Sequence, residues 1–203
     1  MSNHSCASPP CYTVTETHSE LPPFPVPHSD YYFDDGNLVI LVENTLFRIF
    51  RSTLTRHSPV FKDLFSLPHG TDGKHQEGHD DDNPLQFSGI SAVDFERLLW
   101  VLYPTDYTAP KAQTASEWRS VLSLATRWEF AGVRALAIRA LSALDLTPVE
   151  RIVLAREFDL PPRWALGAYT ALCERPAPLS LAEAARIGIE DAVRVAQLRE
   201  QIR

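Results

Sequence analysis

Few side chains in this 203-residue sequence have types and spacings suited to chemistry. The densest group is the polar, glycine-rich stretch 68–83, PHGTDGKHQEGHDDDN, where His69, His75 and His79 precede Asp80, Asp81 and Asp82. Imidazole with carboxylate is a donor set for zinc or nickel. These histidines have neither a thiolate beside them nor a rigid element to fix them, so the stretch reads as a surface loop and no metal is expected. His4, Cys6 and Cys11 offer similar donors in an N-terminal segment with nothing to hold them. Cys173 follows Leu172 in an apolar helical pattern and reads as an inert core thiol. Asp34-Asp35 reads as a solvated acidic pair ahead of a strand. The phosphate loop G-x-x-x-x-G-K, the dinucleotide fingerprint G-x-G-x-x-G, the nucleophile elbow G-x-S-x-G and the zinc motif H-E-x-x-H do not occur. The expectation is a protein that is not an enzyme and carries no cofactor.

Composition narrows the class further. With 44% hydrophobic and 22% charged residues the chain has enough apolar material for a packed core. No uncharged apolar run approaches the roughly 18–20 residues that span a bilayer, so no membrane role is expected. The opening MSNHSCASPPCYTVTETHSE has neither a basic nor an apolar leader region. Three cysteines cannot all pair, and an intracellular setting, cytoplasmic or nuclear, follows as the expectation. Residues 1–116 hold 7 basic and 15 acidic side chains, whereas residues 117–203 hold 12 arginines and 11 acidic side chains. Neither half has the basic excess that neutralising phosphates requires, so no nucleic-acid partner is expected. The arginines of the second half alternate with Glu and Asp, as on a solvated or ion-paired helical surface.

The elements read as a hairpin followed by helices. Residues 1–33 are rich in Ser, Thr, His and Pro, ending LPPFPVPHSD before Tyr31, and read as a disordered tail with order beginning near Asp34. Leu38–Val42 and Thr45–Phe50 are strand-forming runs around a Glu43-Asn44 turn. A short helix is predicted over 52–56. Ser58-Pro59 then supplies an N-cap and a first-turn proline for a second, with Val60, Phe61, Leu64 and Phe65 on one side. Leu85–Phe87 is a short strand, and Ser91 caps a helix running to about Tyr103. Helices are predicted over 117–130, 133–144, Thr147 to about Phe158, Trp164–Cys173, after the capping box Ser180-x-x-Glu183, and from Ile189 to the end. No internal repeat is evident, and strands followed by helices predict an α+β fold.

The segment Asn37–Phe61, NLVILVENTLFRIFRSTLTRHSPVF, resembles the opening of the BTB/POZ domain, with Phe47, Arg51, Leu54, Ser58 and Phe61 at the family's positions without a gap. Phe95–Tyr103 is similar to its third helix, and 117–203 resembles the tail of uncharacterised BTB proteins of mushroom-forming fungi. The resemblance implies a BTB/POZ fold, a small mixed sheet packed against helices, over 34–140, with an all-helical C-terminal extension over 141–203. It implies a non-enzymatic interaction module mediating homo- or hetero-oligomerisation. The alternatives are a substrate adaptor of a cullin-type ubiquitin ligase or a transcriptional co-regulator without its own DNA-binding domain. Expected partners are proteins, including a second copy of the chain as a homodimer, or a cullin scaffold. In family members a charged patch uses an Asp where this chain has Asn37, and a His stands where it has Phe50. The hydrophobic-x-Glu element of the cullin-binding version reads Leu67-Pro68-His69 here. The resemblance places a dimer surface at Phe50, Leu54, Val60 and Phe61, and a second partner groove at Leu67, Phe95 and Tyr103.

Overall fold

The structure is a computed structural model that describes residues 24–67, 77–106 and 108–202. In chain order its elements are β1 (Val26–Tyr32), β2 (Leu38–Val42), β3 (Thr45–Ile49), α1 (Arg51–His57), α2 (Pro59–Leu64), β4 (Leu85–Phe87), α3 (Ala92–Leu102), α4 (Ala115–Arg127), α5 (Ala131–Ala143), α6 (Pro148–Glu157), α7 (Pro162–Glu174), α8 (Leu181–Ile187) and α9 (Ile189–Ile202). The strands form one mixed sheet in the order β1-β3-β2-β4. The predicted hairpin is its centre: β2 and β3 pair antiparallel from Leu38↔Ile49 to Val42↔Thr45. Glu43 takes the positive φ of 53° that so tight a turn demands. The α+β expectation agrees with this mixed sheet and with a helical content of 56% among the described residues.

The expectation that order begins near Asp34 needs correction. Residues 26–32 form a strand parallel to β3, with Val26↔Thr45, Pro27↔Leu46 and Tyr32↔Arg48 as partners. Five steps along β1 face two along β3, so the strand bulges between Pro27 and Tyr32. The His28 ring holds that bulge: its Nδ1 accepts the backbone N–H groups of Asp30 and Tyr31 at 3.1 and 3.2 Å. The ring itself stacks on Phe47 at 4.9 Å. A proline-flanked polar run has little strand propensity of its own; the open edge of β3 supplies the pairing. Residues 1–23 lie outside the described residues.

The core is organised where α2, α3, β4 and the α4–α5 turn meet. Phe61, Phe87, Phe95, Trp128 and Phe130 pack there with ring centroids 5.0–6.0 Å apart, Phe95 meeting Phe87 and Trp128 edge to face. Ser58, itself buried, links the cluster to the backbone. Its Oγ accepts the Phe61 N–H at 3.1 Å, capping α2, and donates to the Trp128 carbonyl at 2.6 Å. Arg51 fastens α1 to the end of α2, lying over the Phe65 ring at 4.4 Å and donating to the Phe65 carbonyl at 2.6 Å. Asn37 Oδ1 accepts the Arg51 N–H at 2.9 Å at the start of α1, where Phe50 as N-cap offers no side-chain bond.

From α4 onward the chain repeats itself, contrary to the expectation of no internal repeat. Three capping boxes, Thr114-x-x-Glu117, Thr147-x-x-Glu150 and Ser180-x-x-Glu183, fall at a constant interval of 33 residues and open α4, α6 and α8. Each of these helices turns back into the next, giving the hairpins α4–α5, α6–α7 and α8–α9. The first two turns use Glu129 and Asp159 at φ of 54° and 48°, and the third uses Gly188 at 87°. The hairpins stack in register. Arg119 of α4 pairs with Glu157 of α6 at 2.8 Å, and Trp164 Nε1 of α7 donates to Ser142 Oγ of α5 at 2.6 Å. Several of the arginines expected on ion-paired surfaces instead clamp helix ends, where backbone carbonyls lack intrahelical donors. Arg134 donates to the Phe158 carbonyl, Arg156 to those of Ile187 and Arg186, and Arg199 to those of Leu172 and Pro176.

Two outcomes follow. Ser58→Ala removes an N-cap and leaves the Trp128 carbonyl without its buried donor, so denaturant unfolding should show a loss of about 1–3 kcal/mol. Glu183 is held down to about pKa 2 from its ordinary 4.5, first by its bond to Arg175 and then by the Ser180 N–H. A depressed carboxyl stabilises the fold above its unfolded pKa and loses that contribution as pH falls through the folded value. Acid titration of stability between about pH 4.5 and 2 should therefore be shallower in Glu183→Gln than in the parent chain.

Candidate protein-interaction surface

Of the residues expected to meet partners, Phe50 and Tyr103 are brought together, the Phe50 N–H donating to Tyr103 Oη at 3.1 Å. Leu54, Phe61 and Phe95 are buried at 0–1% exposure in the chain's own core. Helical position alone does not separate an inward apolar stripe from an outward one, and here the aromatic cluster claims it. Phe50 and Val60 are half-buried. Leu67 is 62% exposed beyond the end of α2, far in the chain from the other members of its expected groove. Tyr103 does line a cleft.

That cleft forms around the C-terminal end of α3. One lobe, about 550 Å³, is lined by Trp100, Pro104, Pro110, Lys111, Trp118 and Leu136 among others. A second, about 520 Å³, runs beside it past Asp30, Tyr31, Phe33 and Tyr103, and the two share Pro104, Thr105 and Lys111. Pro104 stops α3 and Pro110 shapes the connection to α4, leaving an irregular wall opposite the bulge of β1. Aromatic rings floor the second lobe: Phe33 meets Tyr103 edge-on at 5.3 Å and stacks on Phe50 at 5.8 Å. Tyr103 is fixed by the α1 entry, its Oη accepting the Phe50 N–H at 3.1 Å.

Four of the ionisable groups here lie close to one another. Lys111 Nζ sits 3.9 Å from both Asp30 and Glu96 and 4.8 Å from the Trp100 ring, and His28 Nε2 lies 3.7 Å from Glu96. Burial and then the neighbouring Glu96 and Asp30 charges push the Tyr31 hydroxyl up to about 12, and burial raises Tyr103 as well. Both phenols stay protonated over the ordinary pH range, as hydrogen-bonding and packing groups. The cleft thus offers apolar and aromatic area with one cation on its rim, the make-up of a polypeptide-binding surface.

The metal-like clusters are also placed. His69 and His75 lie outside the described residues, as do His4, Cys6 and Cys11. Asp81 accepts the Tyr32 hydroxyl at 2.6 Å and Asp80 accepts the Asn83 N–H at 3.0 Å, so both hold the 77–84 turn. Among the described residues no group of three or more His, Cys, Asp and Glu could hold a metal ion. Cys173 is half-buried in α7. No helix among them is long and apolar enough to cross a membrane.

The BTB/POZ domain family model matches residues 33–143, a segment that takes in β2 through α5. The chain belongs to the BTB/POZ domain family, whose domain is a protein–protein interaction module. Domains of this family bind protein partners, self-associate and can bind cullin. A search of curated proteins finds no match.

Sequence reasoning missed Trp100, Pro104, Lys111 and the β1 residues of the cleft. The segment PTDYTAPK, with two prolines between helices, was the available signal, but its partner wall came from a run read as a disordered tail. Tyr103→Phe should leave the Phe50 N–H without an acceptor. Calorimetric or denaturant unfolding should show a cost of about 1–2 kcal/mol with the helical circular dichroism unchanged.

Proposed function

We propose that this chain is a non-enzymatic protein–protein interaction module, acting in the cytoplasm or nucleus, that takes a polypeptide partner in the cleft at the end of α3. The observation that carries the reading is the paired lobe around Lys111, floored by aromatic rings and walled by prolines. A partner's apolar side chains buried there would each contribute about 1–3 kcal/mol by area alone. Lys111, Asp30, Glu96 and His28 are grouped with one another around it, which supports recognition rather than catalysis.

This favours a hetero-partner over homodimerisation through the hairpin and first helices, because Leu54 and Phe61 are inside and leave Phe50 and Val60 half-covered. For a ubiquitin-ligase adaptor, Leu67 offers the hydrophobic anchor but no carboxylate stands two residues on. A co-regulator role would rest on the same cleft.

Lys111→Glu places three carboxylates around the Trp100 ring and reverses the rim. Proximity labelling in the native host with parent and Lys111→Glu chains should show a distinct set of proteins lost from the variant while its melting curve stays close to the parent's. Identical partner sets would retire the cleft as the binding site.

A further inference from the structure

The hydrogen bonds of His28 are those of an uncharged ring. The backbone N–H groups of Asp30 and Tyr31 both donate to its Nδ1, at 3.1 and 3.2 Å. Only a bare nitrogen with a free lone pair accepts them, so the ring proton sits on Nε2, which faces the Glu96 carboxylate of α3 at 3.7 Å. Stacking on Phe47 at 4.9 Å, with the Tyr31 ring alongside at 5.3 Å, fixes the ring in this orientation. One side chain thus holds the bulge of β1, and the bulge sets Asp30 and Tyr31 along the second lobe of the cleft.

A second proton on the ring is incompatible with that arrangement. It must go to Nδ1, which then carries a hydrogen of its own and opposes the two backbone donors in place of accepting them. The carboxylates around the ring nevertheless favour its charged form. Glu96 faces it from α3 and Asp30 stands two residues on in its own strand, and both charges also raise the Tyr31 hydroxyl. Lys111, from the α3–α4 connection, lies 3.9 Å from both carboxylates and offsets part of their pull. β3 meets the ring with Phe47, and its next side chain, Arg48, turns to the other side of the sheet over Tyr32. An imidazolium would therefore keep its place beside Glu96 and release the backbone of residues 29–31.

We propose that His28 is a proton-operated latch on the β1 wall of the α3 cleft. With the ring neutral the bulge is closed, and Asp30 and Tyr31 wall the second lobe. With the ring protonated, residues 29–31 come away and the lobe opens. The closed form has no room for a proton at Nδ1 and the open form takes one, so opening grows as pH falls. Imidazole is the side chain whose charge ordinarily changes between about pH 5 and 8, which sets the range in which the latch works. The consequence for a bound polypeptide rests on the cleft being its site; the opening itself does not.

Residue-resolved amide hydrogen exchange of the full chain, corrected for the intrinsic effect of pH on exchange, tests it. From about pH 7.5 to about pH 5.5 the Asp30 and Tyr31 amides should lose protection about ten-fold, the linkage of one imidazole proton across that range. Amides of the β2–β3 ladder should hold theirs. His28→Asn puts an oxygen where Nδ1 stands, able to accept the same two N–H groups and unable to take a proton there. It should keep both amides protected at both pH values, whereas His28→Ala should lose protection at both. Parent amides equally protected at the two pH values overturn the proposal. So does a loss of the same size in His28→Asn, which assigns the effect to the carboxylates, or full protection in His28→Ala. No partner enters the measurement, so its outcome is decided separately from the Lys111→Glu comparison that tests the cleft.

Discussion

The Ser58 hydroxyl, accepting from Phe61 and donating to the Trp128 carbonyl, is the buried polar contact at the centre of the joint between the two halves of this protein. It is buried, so both of its bonds replace water with fixed partners, and each group it satisfies would otherwise be stranded. Around it the rings of Phe61, Phe87, Phe95, Trp128 and Phe130 close the space between sheet and helices. That arrangement commits Leu54, Phe61 and Phe95 to the interior. The cleft proposed for recognition lies elsewhere, at the end of α3.

Helix ends form a second constraint, met largely by arginine. A guanidinium has several donors in a fixed plane and reaches two carbonyls at once, which an ammonium on a flexible stem does less well. Arg156 at the end of α6 holds the end of α8, and Arg199 in α9 holds the end of α7, so each hairpin is pinned to its neighbour by its own side chains. Alternating charge in the sequence suggested exposed ion pairs, and Arg119–Glu157 and Arg194–Glu190 are such pairs. The orientation toward carbonyls was not legible because it depends on which helix end lies opposite, a property of the stacking.

β1 matters as much to the cleft as to the sheet. Its bulge brings Asp30 to Lys111 and Tyr31 and Phe33 to the rings around Tyr103. The same bulge, with Pro27 and exposed polar residues, interrupts the outer edge of the sheet, a common way of discouraging strand addition there. One irregular strand thus shapes a wall of the proposed cleft and closes an edge.

The sequence alone determined what local physics controls. The hairpin, its turn, the capped starts of α2, α3, α6 and α8 and the paired helices were legible because period, caps and prolines act over a few residues. The gapless spacing from Phe47 to Phe61 also carried the family. The 33-residue interval of capping boxes was present in the sequence too, at Thr114, Thr147 and Ser180, but the residues between vary too much for it to stand out before the hairpins are seen stacked. Tertiary structure decided the rest. It turned 26–32 into a strand by offering the edge of β3, chose which apolar residues face inward, and left Trp100, Tyr103 and Lys111 outside. Burial is settled by what packs opposite a side chain, and that partner lies dozens of residues away.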